Sequence, residues 1–112
     1  MNHLSESNRG KNKEYYAVIF TSQRTDGENG YGETADEMVR LAAEQPGFID
    51  VESVRNSSGF GITISYWESL EAIGNWKQVE AHKAAQEQGK QAWYEDYHVK
   101  ICKVEREYSM RK

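Results

Sequence analysis

The sequence contains few of the residues that would identify several large classes of protein. Of its 112 residues, one is a cysteine and one is a proline. A single cysteine, Cys102, cannot form an internal disulfide and leaves no cysteine-rich zinc spacing. No apolar run approaches the roughly 20 residues that a membrane-spanning helix needs, so we expect no membrane partner. Residues 1–13 lack the apolar segment of a secretory signal, which makes a cytoplasmic protein the expectation.

Basic residues are also in the minority. Fourteen lysines and arginines stand against eighteen aspartates and glutamates, which gives a net charge of −4. A nucleic-acid-binding domain normally concentrates positive charge on one face to meet the phosphates, so we expect no nucleic-acid partner. The three histidines include no HxH or HxxxH pair, and the sequence therefore predicts no dedicated metal site.

The composition and its distribution predict one folded domain. With 38% hydrophobic and 29% charged residues, the chain has the balance of an ordinary globular protein. Residues 1–13 are polar and offer almost no apolar surface to bury, so we predict a disordered N-terminal tail there. Residues 14–112 would then form the single domain.

Hydrophobic periodicity predicts six elements in the domain. Apolar residues that alternate or run together indicate strands, and spacings of three and four indicate helices. The predicted elements are a strand over Tyr15–Phe20, a helix over Tyr31–Gln45, strands over Ile49–Asn56 and Phe60–Trp67, a helical region from Leu70 to about Tyr94, and a strand over Tyr97–Tyr108. Ser69 is placed to cap the second helical region, and Pro46-Gly47 ends the first helix.

This order is that of the α+β ferredoxin-like fold, βαββαβ, in which two helical regions cover one face of a four-stranded antiparallel sheet. The other face should then be polar if it meets water. The first strand is apolar on both sides: one side carries Tyr15, Ala17 and Ile19, and the other carries Tyr16, Val18 and Phe20. We therefore predict a homodimer packed sheet against sheet; the alternative is that loops or the N-terminal tail cover that face.

The segment Ser65-Tyr66-Trp67-Glu68-Ser69-Leu70, which continues to Trp76-Lys77, resembles the signature of the antibiotic biosynthesis monooxygenase family. The following Glu80-Ala81-His82-Lys83-Ala84-Ala85 and Trp93-Tyr94 extend the resemblance to small stress-related members. The similarity spans about residues 14–108 and includes the Pro46-Gly47-Phe48 joint. It implies a dimeric α+β barrel.

The resemblance also implies two kinds of chemistry. Some family members oxidise polycyclic aromatic substrates with molecular oxygen as the co-substrate and no metal or flavin. Others degrade haem with an asparagine on the first strand, a tryptophan and an iron-ligating histidine. Trp76 and His82 are the nearest counterparts of the last two, although six positions separate them, a shorter gap than in the haem-degrading members. The first strand, Tyr15 to Gln23, contains no asparagine.

Two residues are candidates for catalysis. A neutral imidazole at His82 could take a proton from an acidic phenol, and the alternative is an inert histidine at the helix margin. Trp76 is the second candidate by the resemblance. For substrate binding we single out the polar and aromatic residues Thr63, Ser65, Trp67 and Trp93. Large rings shape an apolar cavity and hydroxyls orient its ligand, whereas the alternative makes the tryptophans plain core or dimer interface.

These observations favour a cofactor-independent monooxygenase that acts on a small aromatic or quinol-like ligand. A haem-binding or haem-degrading monooxygenase is the first alternative. The second is a non-catalytic, ligand-binding stress-response dimer, since a fold does not fix a function.

Overall fold

The computed structural model describes residues 14–26, 31–87 and 93–112. The predicted N-terminal tail lies outside the described residues, as do residues 88–92 of the predicted second helical region. The described elements are, in order, β1 (Tyr15–Arg24), α1 (Tyr31–Ala43), β2 (Phe48–Arg55), β3 (Phe60–Trp67), α2 (Leu70–Glu87) and β4 (Tyr94–Val104). None of the helices in the described ranges is long and apolar enough to cross a membrane.

The four strands form one antiparallel sheet in the order β2-β3-β1-β4, which confirms the predicted ferredoxin-like α+β fold. The pairing register fixes which side chains share a face of the sheet. Val18 pairs with Ser65 and Phe20 with Thr63, and Val51 also lies opposite Ser65. Because strand residues alternate between faces, this register gathers every second residue of the strands beneath the two helices.

The core lies between this face of the sheet and the helices. Trp67 at the end of β3 is fully buried, and it packs with Val18 of β1 and with Ile73 and Trp76 of α2. Ala42 of α1 completes the buried cluster. Trp67 therefore connects the sheet to both helices, and its large ring is fully buried between them.

The last strand begins three residues earlier than the alternation predicts. The predicted second helical region reaches Tyr94, but that residue opens β4 and pairs with Arg24 across a β-bulge in the ladder. β1 is also longer than predicted because it continues to Arg24. Both differences have one cause: pairing between distant strands extends them through the polar residues at their ends, where the local pattern carries no strand signal.

The face of the sheet away from the helices is apolar at its centre. Ile19, Ile62 and Ile64 are half-buried there in the single chain, and Val54 is 71% exposed. At one end the Tyr15 hydroxyl donates a hydrogen bond to Glu107, so the segment after β4 reaches this face. We call this surface, with Ile19, Ile62, Ile64 and Val54, the open face.

Candidate functional site

A cavity of about 190 Å³ lies between the sheet and the two helices and is partly open to solvent. All four strands and both helices contribute to its lining. The strands supply apolar residues such as Val18, Phe20 and Val99, and α1 supplies Ala35 and Met38. A mainly apolar cavity with a few polar groups has the character of a small-molecule site.

Two hydroxyl groups predicted to bind substrate lie in the lining. Thr63 Oγ1 is 2.7 Å from the hydroxyl of Ser53, its cross-strand neighbour on β2. The hydroxyl of Ser65 accepts a hydrogen bond of 2.9 Å from the indole Nε1 of Trp67. These contacts fix the oxygen positions, so the β2–β3 wall presents an ordered row of hydroxyls to the interior of the cavity.

The three tryptophans occupy different places. Trp76 lines the cavity and stacks on Trp67, with the ring centroids 6.0 Å apart and the planes at 21°. Trp67 itself is not among the lining residues and belongs to the core behind that wall. Trp93 lines the cavity just before β4, with its ring edge-on to Tyr31. Two of the three predicted rings therefore reach the cavity directly, and Trp67 supports one of them.

His82 is exposed on α2 and is not among the residues that line the cavity. Its predicted catalytic role stays a prediction, and its position provides no contact that would support it. The structure thus brings Thr63, Ser65, Trp76 and Trp93 together at one cavity and leaves His82 outside it.

The same helix carries a charged pair into the lining that the sequence analysis did not single out. Glu80 and Lys77 both line the cavity, and Lys77 Nζ lies 2.9 Å from Glu80 Oε1. Glu80 is four residues after Trp76, the spacing that places two side chains on one face of a helix. That spacing from Trp76 is the signal by which the sequence could have identified Glu80.

A second polar group that the sequence analysis missed lies where α1 and β4 begin. The hydroxyl-bearing rings of Tyr31 and Tyr94 both line the cavity, with centroids 6.0 Å apart and planes nearly perpendicular. Arg55 Nη2 donates to the Tyr31 hydroxyl at 3.3 Å and to Ser22 Oγ at 2.9 Å. The guanidinium of Arg24 lies 3.7 Å from the centre of the Tyr31 ring.

Burial raises the pKa of Tyr94, and the neighbouring Tyr31 raises that pKa further. The positive charges of Arg55 and Arg24 act in the opposite direction but are weaker. Tyr94 therefore keeps its proton at neutral pH and can donate a hydrogen bond.

The described residues do not fit a resident haem. No histidine is among the described residues that line the cavity, and His82, the nearest counterpart of the iron ligand, is exposed. Within the described ranges there is also no group of three or more histidine, cysteine, aspartate or glutamate side chains that could hold a metal ion. A volume of about 190 Å³ suits a single ring far better than a tetrapyrrole.

A family model described as antibiotic biosynthesis monooxygenase matches residues 15–88, which include β1 to α2 and most of the cavity lining. The chain belongs to this family. The family membership agrees with the resemblance in the segment from Ser65 to Lys77.

Three individual proteins show how far the similarity extends. The uncharacterized protein YqjZ of Bacillus subtilis is 55% identical over 93 residues, which are 83% of this chain and 82% of that protein. A jasmonate monooxygenase of Pyricularia oryzae is 29% identical over 80% of this chain, which spans 43% of its length. The solved structure of SnoaB, a cofactor-independent oxygenase from Streptomyces nogalater, has a TM-score of 0.61 at 12% identity, covering 89% of this chain and 99% of that one.

Proposed function

We propose that this protein is a cofactor-independent monooxygenase that oxidises a small aromatic or quinol-like substrate in the cavity between the sheet and the helices. The observation that carries the proposal is the cavity itself, apolar and ringed by aromatic side chains, in a chain of the antibiotic biosynthesis monooxygenase family. The relation to a named monooxygenase at 29% identity and the shared fold with SnoaB support the same reaction class.

In this proposal the substrate supplies the electrons and the protein prepares it. Glu80 accepts a proton from the bound substrate, since it is a carboxylate in the lining and Lys77 holds it in place. The resulting electron-rich anion reduces molecular oxygen. A ring carbon of the anion forms a bond to molecular oxygen, and the O–O bond then breaks as the remaining hydrogen on that carbon leaves as a proton. The carbon becomes a carbonyl, the other oxygen atom leaves as water, and the substrate supplies all four electrons. The apolar walls exclude bulk water from this step, and Thr63 and Ser65 orient the ring.

We also propose the setting in which the reaction takes place. The protein works as a cytoplasmic homodimer, and residues 1–13 form a tail that the domain does not need for folding. The apolar open face supports the dimer, because its side chains remain in contact with water in the single chain.

Oxygen uptake tests the proposal. The purified protein is mixed with a panel of single-ring hydroquinones in an oxygen electrode, with a metal chelator present and the uncatalysed oxidation subtracted. We expect uptake without accumulation of hydrogen peroxide, since peroxide would mean oxidation to the quinone with no oxygen inserted. Ala35→Phe should abolish this uptake, because Ala35 lines the cavity and the added ring would fill it. Ala43→Phe, on an exposed position of the same helix, is the matched control and should retain the activity.

The other outcomes separate the alternatives. Binding of the same compounds without oxygen uptake would indicate a non-catalytic ligand-binding protein. A Soret shift on addition of haem, with bleaching by ascorbate, would indicate the haem-degrading alternative.

A further inference from the structure

One end of the cavity is unlike the rest, because two tyrosines, Tyr31 and Tyr94, line it within an aromatic enclosure. The rings of Tyr31 and Tyr94 have their centroids 6.0 Å apart, and the ring of Phe20 packs against Tyr94 with the centroids 5.5 Å apart. The ring of Trp93 lies 5.9 Å from that of Tyr31. All four side chains line the cavity. A polar group of the ligand at this end would find its hydrogen-bond donors here, surrounded by ring faces.

The positive charge of Arg55 supports this hydroxyl pair from behind. Its guanidinium donates to Tyr31 and to Ser22, whose side chain is 1% exposed, and within the described part of the chain no carboxylate lies within ion-pair distance of it. Because Arg55 can only donate, the Tyr31 oxygen accepts from it, and the Tyr31 proton is directed elsewhere. A hydroxyl polarised in this way is a stronger donor towards an anion.

The arginine side chain fits against the sheet because the neighbouring position on β3 is a glycine. Gly61 lies opposite Arg55 on β3, and a Cβ placed on it would come within 2.5 Å of the guanidinium carbon. The position of the charge behind Tyr31 therefore depends on a residue that does not itself line the cavity. That dependence makes it possible to move the charge without altering the cavity wall.

From this geometry we infer that the cavity takes a single-ring acid, whose anionic oxygen binds to the hydroxyls of Tyr31 and Tyr94. The inference rests on the proposed function and specifies its substrate class. The size argument is independent of the charge argument: a cavity of about 150 Å³ in another protein holds benzene, and this one has about 190 Å³. A fused polycyclic ring system would project beyond the walls.

The other charged groups of the lining leave this end favourable for an anion. Among the described residues of the lining, Glu80 is the one that carries a carboxylate, and Lys77 Nζ, 2.9 Å away, balances its charge. Arg24, which is held by a hydrogen bond to the backbone oxygen of Trp93, adds positive charge over the Tyr31 ring. The anionic oxygen could belong to a carboxylate or to an ionised phenol, and both would accept the same two hydrogen bonds.

Binding of 4-nitrophenol, followed by the absorbance of its ionised form, tests the inference. Nitrobenzene has the same ring without the acidic oxygen, and benzoate, used as a competitor, carries a carboxylate instead. We expect the pKa of nitrophenol to fall on binding, and the phenolate to bind more tightly than nitrobenzene. If benzoate displaces 4-nitrophenolate and binds more tightly than it does, the carboxylate is the preferred anion.

Three substitutions locate the effect. Tyr94→Phe removes one donor and should weaken phenolate binding by roughly 10- to 100-fold while leaving nitrobenzene binding nearly unchanged. Tyr97→Phe is the matched control: its ring packs against Phe20 and Tyr94, but it is outside the lining and should change neither probe's affinity. Gly61→Ala displaces the Arg55 guanidinium and should weaken the phenolate selectively.

The inference is overturned if nitrobenzene and nitrophenolate bind equally well, or if Tyr94→Phe and Tyr97→Phe weaken both probes alike. Failure of 4-nitrophenolate to bind to the folded protein would overturn it as well. The oxygen-uptake assay stays separate, because uptake with neutral hydroquinones in a protein that shows no preference for anions would support the proposed function and reject this substrate class.

Discussion

The side chains of α2 show how neighbouring positions on one helix acquire different roles. Trp76 and Glu80 are four residues apart, so they lie on the same face and both reach the cavity. His82 follows Trp76 by six residues, which is roughly one and two-thirds turns and rotates its side chain away from that face. The carboxylate of Glu80 therefore occupies the place at the cavity that the sequence analysis assigned to the imidazole.

We predict that Glu80→Gln lowers the rate of oxygen uptake by about a hundredfold or more, because the amide keeps the shape but cannot accept the substrate proton. His82→Ala, a change on the same helix outside the cavity, should leave the rate within about twofold of the original. Both variants are compared in the hydroquinone assay at equal protein concentration. The opposite ranking, with His82→Ala inactive and Glu80→Gln active, would restore the histidine as the base.

The connections around α2 hold that helix over the sheet. Ser69 Oγ accepts the backbone N–H of Ala72 at 3.0 Å, which caps the helix as the sequence predicts. The backbone N–H of Glu68 donates to the carbonyl oxygen of Gly47 at 2.8 Å, so the joint before β2 is tied to the start of α2. Gly47 has a φ of 87°, in the region where residues with a side chain are strained.

Two glycine-to-alanine substitutions should change stability in opposite directions. Gly47→Ala should destabilise the protein. The new Cβ would lie 2.6 Å from Ala72 Cβ, which is too close, and the positive φ would add roughly 1–2 kcal/mol of backbone strain. Gly74→Ala places a methyl group where nothing lies within 4 Å, on an exposed helical position, and should stabilise by about 0.5–1 kcal/mol. Urea unfolding of both variants checks the pair. A stabilising Gly47→Ala would show that the joint can move away from α2.

The sheet as a whole has one face covered by helices and one open face. Ile19, Ile62 and Ile64 remain half-buried on the open face, and Val54 is mostly exposed. Full burial of side chains of this size is worth roughly 1.5–3 kcal/mol each. A second copy that packs against this face would remove all of them from water at once, whereas the contact between Tyr15 and Glu107 covers only one end.

We therefore predict that the protein elutes and scatters light as a dimer, at about twice its chain mass of 12.9 kDa at micromolar concentration. Ile64→Lys places a charge at the centre of the open face and should shift the equilibrium towards the monomer. Gln78→Lys, on an exposed position of α2, adds the same charge away from the open face and should leave the dimer intact. A wild-type mass near that of one chain would contradict the dimer.

The local pattern of the sequence was sufficient to predict the fold and some of the residues that line the cavity. Alternation in β3 predicted that Thr63 and Ser65 share a face, and the structure places both in the cavity lining. The order of the elements and the Ser69 cap were also visible, because helix and strand periodicity and capping depend on residues a few positions apart.

The hydroxyls of Tyr31 and Tyr94 and the positive charge of Arg55 beside them could not be predicted from the local pattern. Tyr31, Arg55 and Tyr94 come from the start of α1, the end of β2 and the start of β4, and only the long-range register brings them together. The sequence alone determined that a sheet would carry an apolar layer with hydroxyls under two helices. The tertiary structure decided which end of that layer is polar, because electrostatic contacts follow distance in space, whereas hydrophobic periodicity records only distance along the chain.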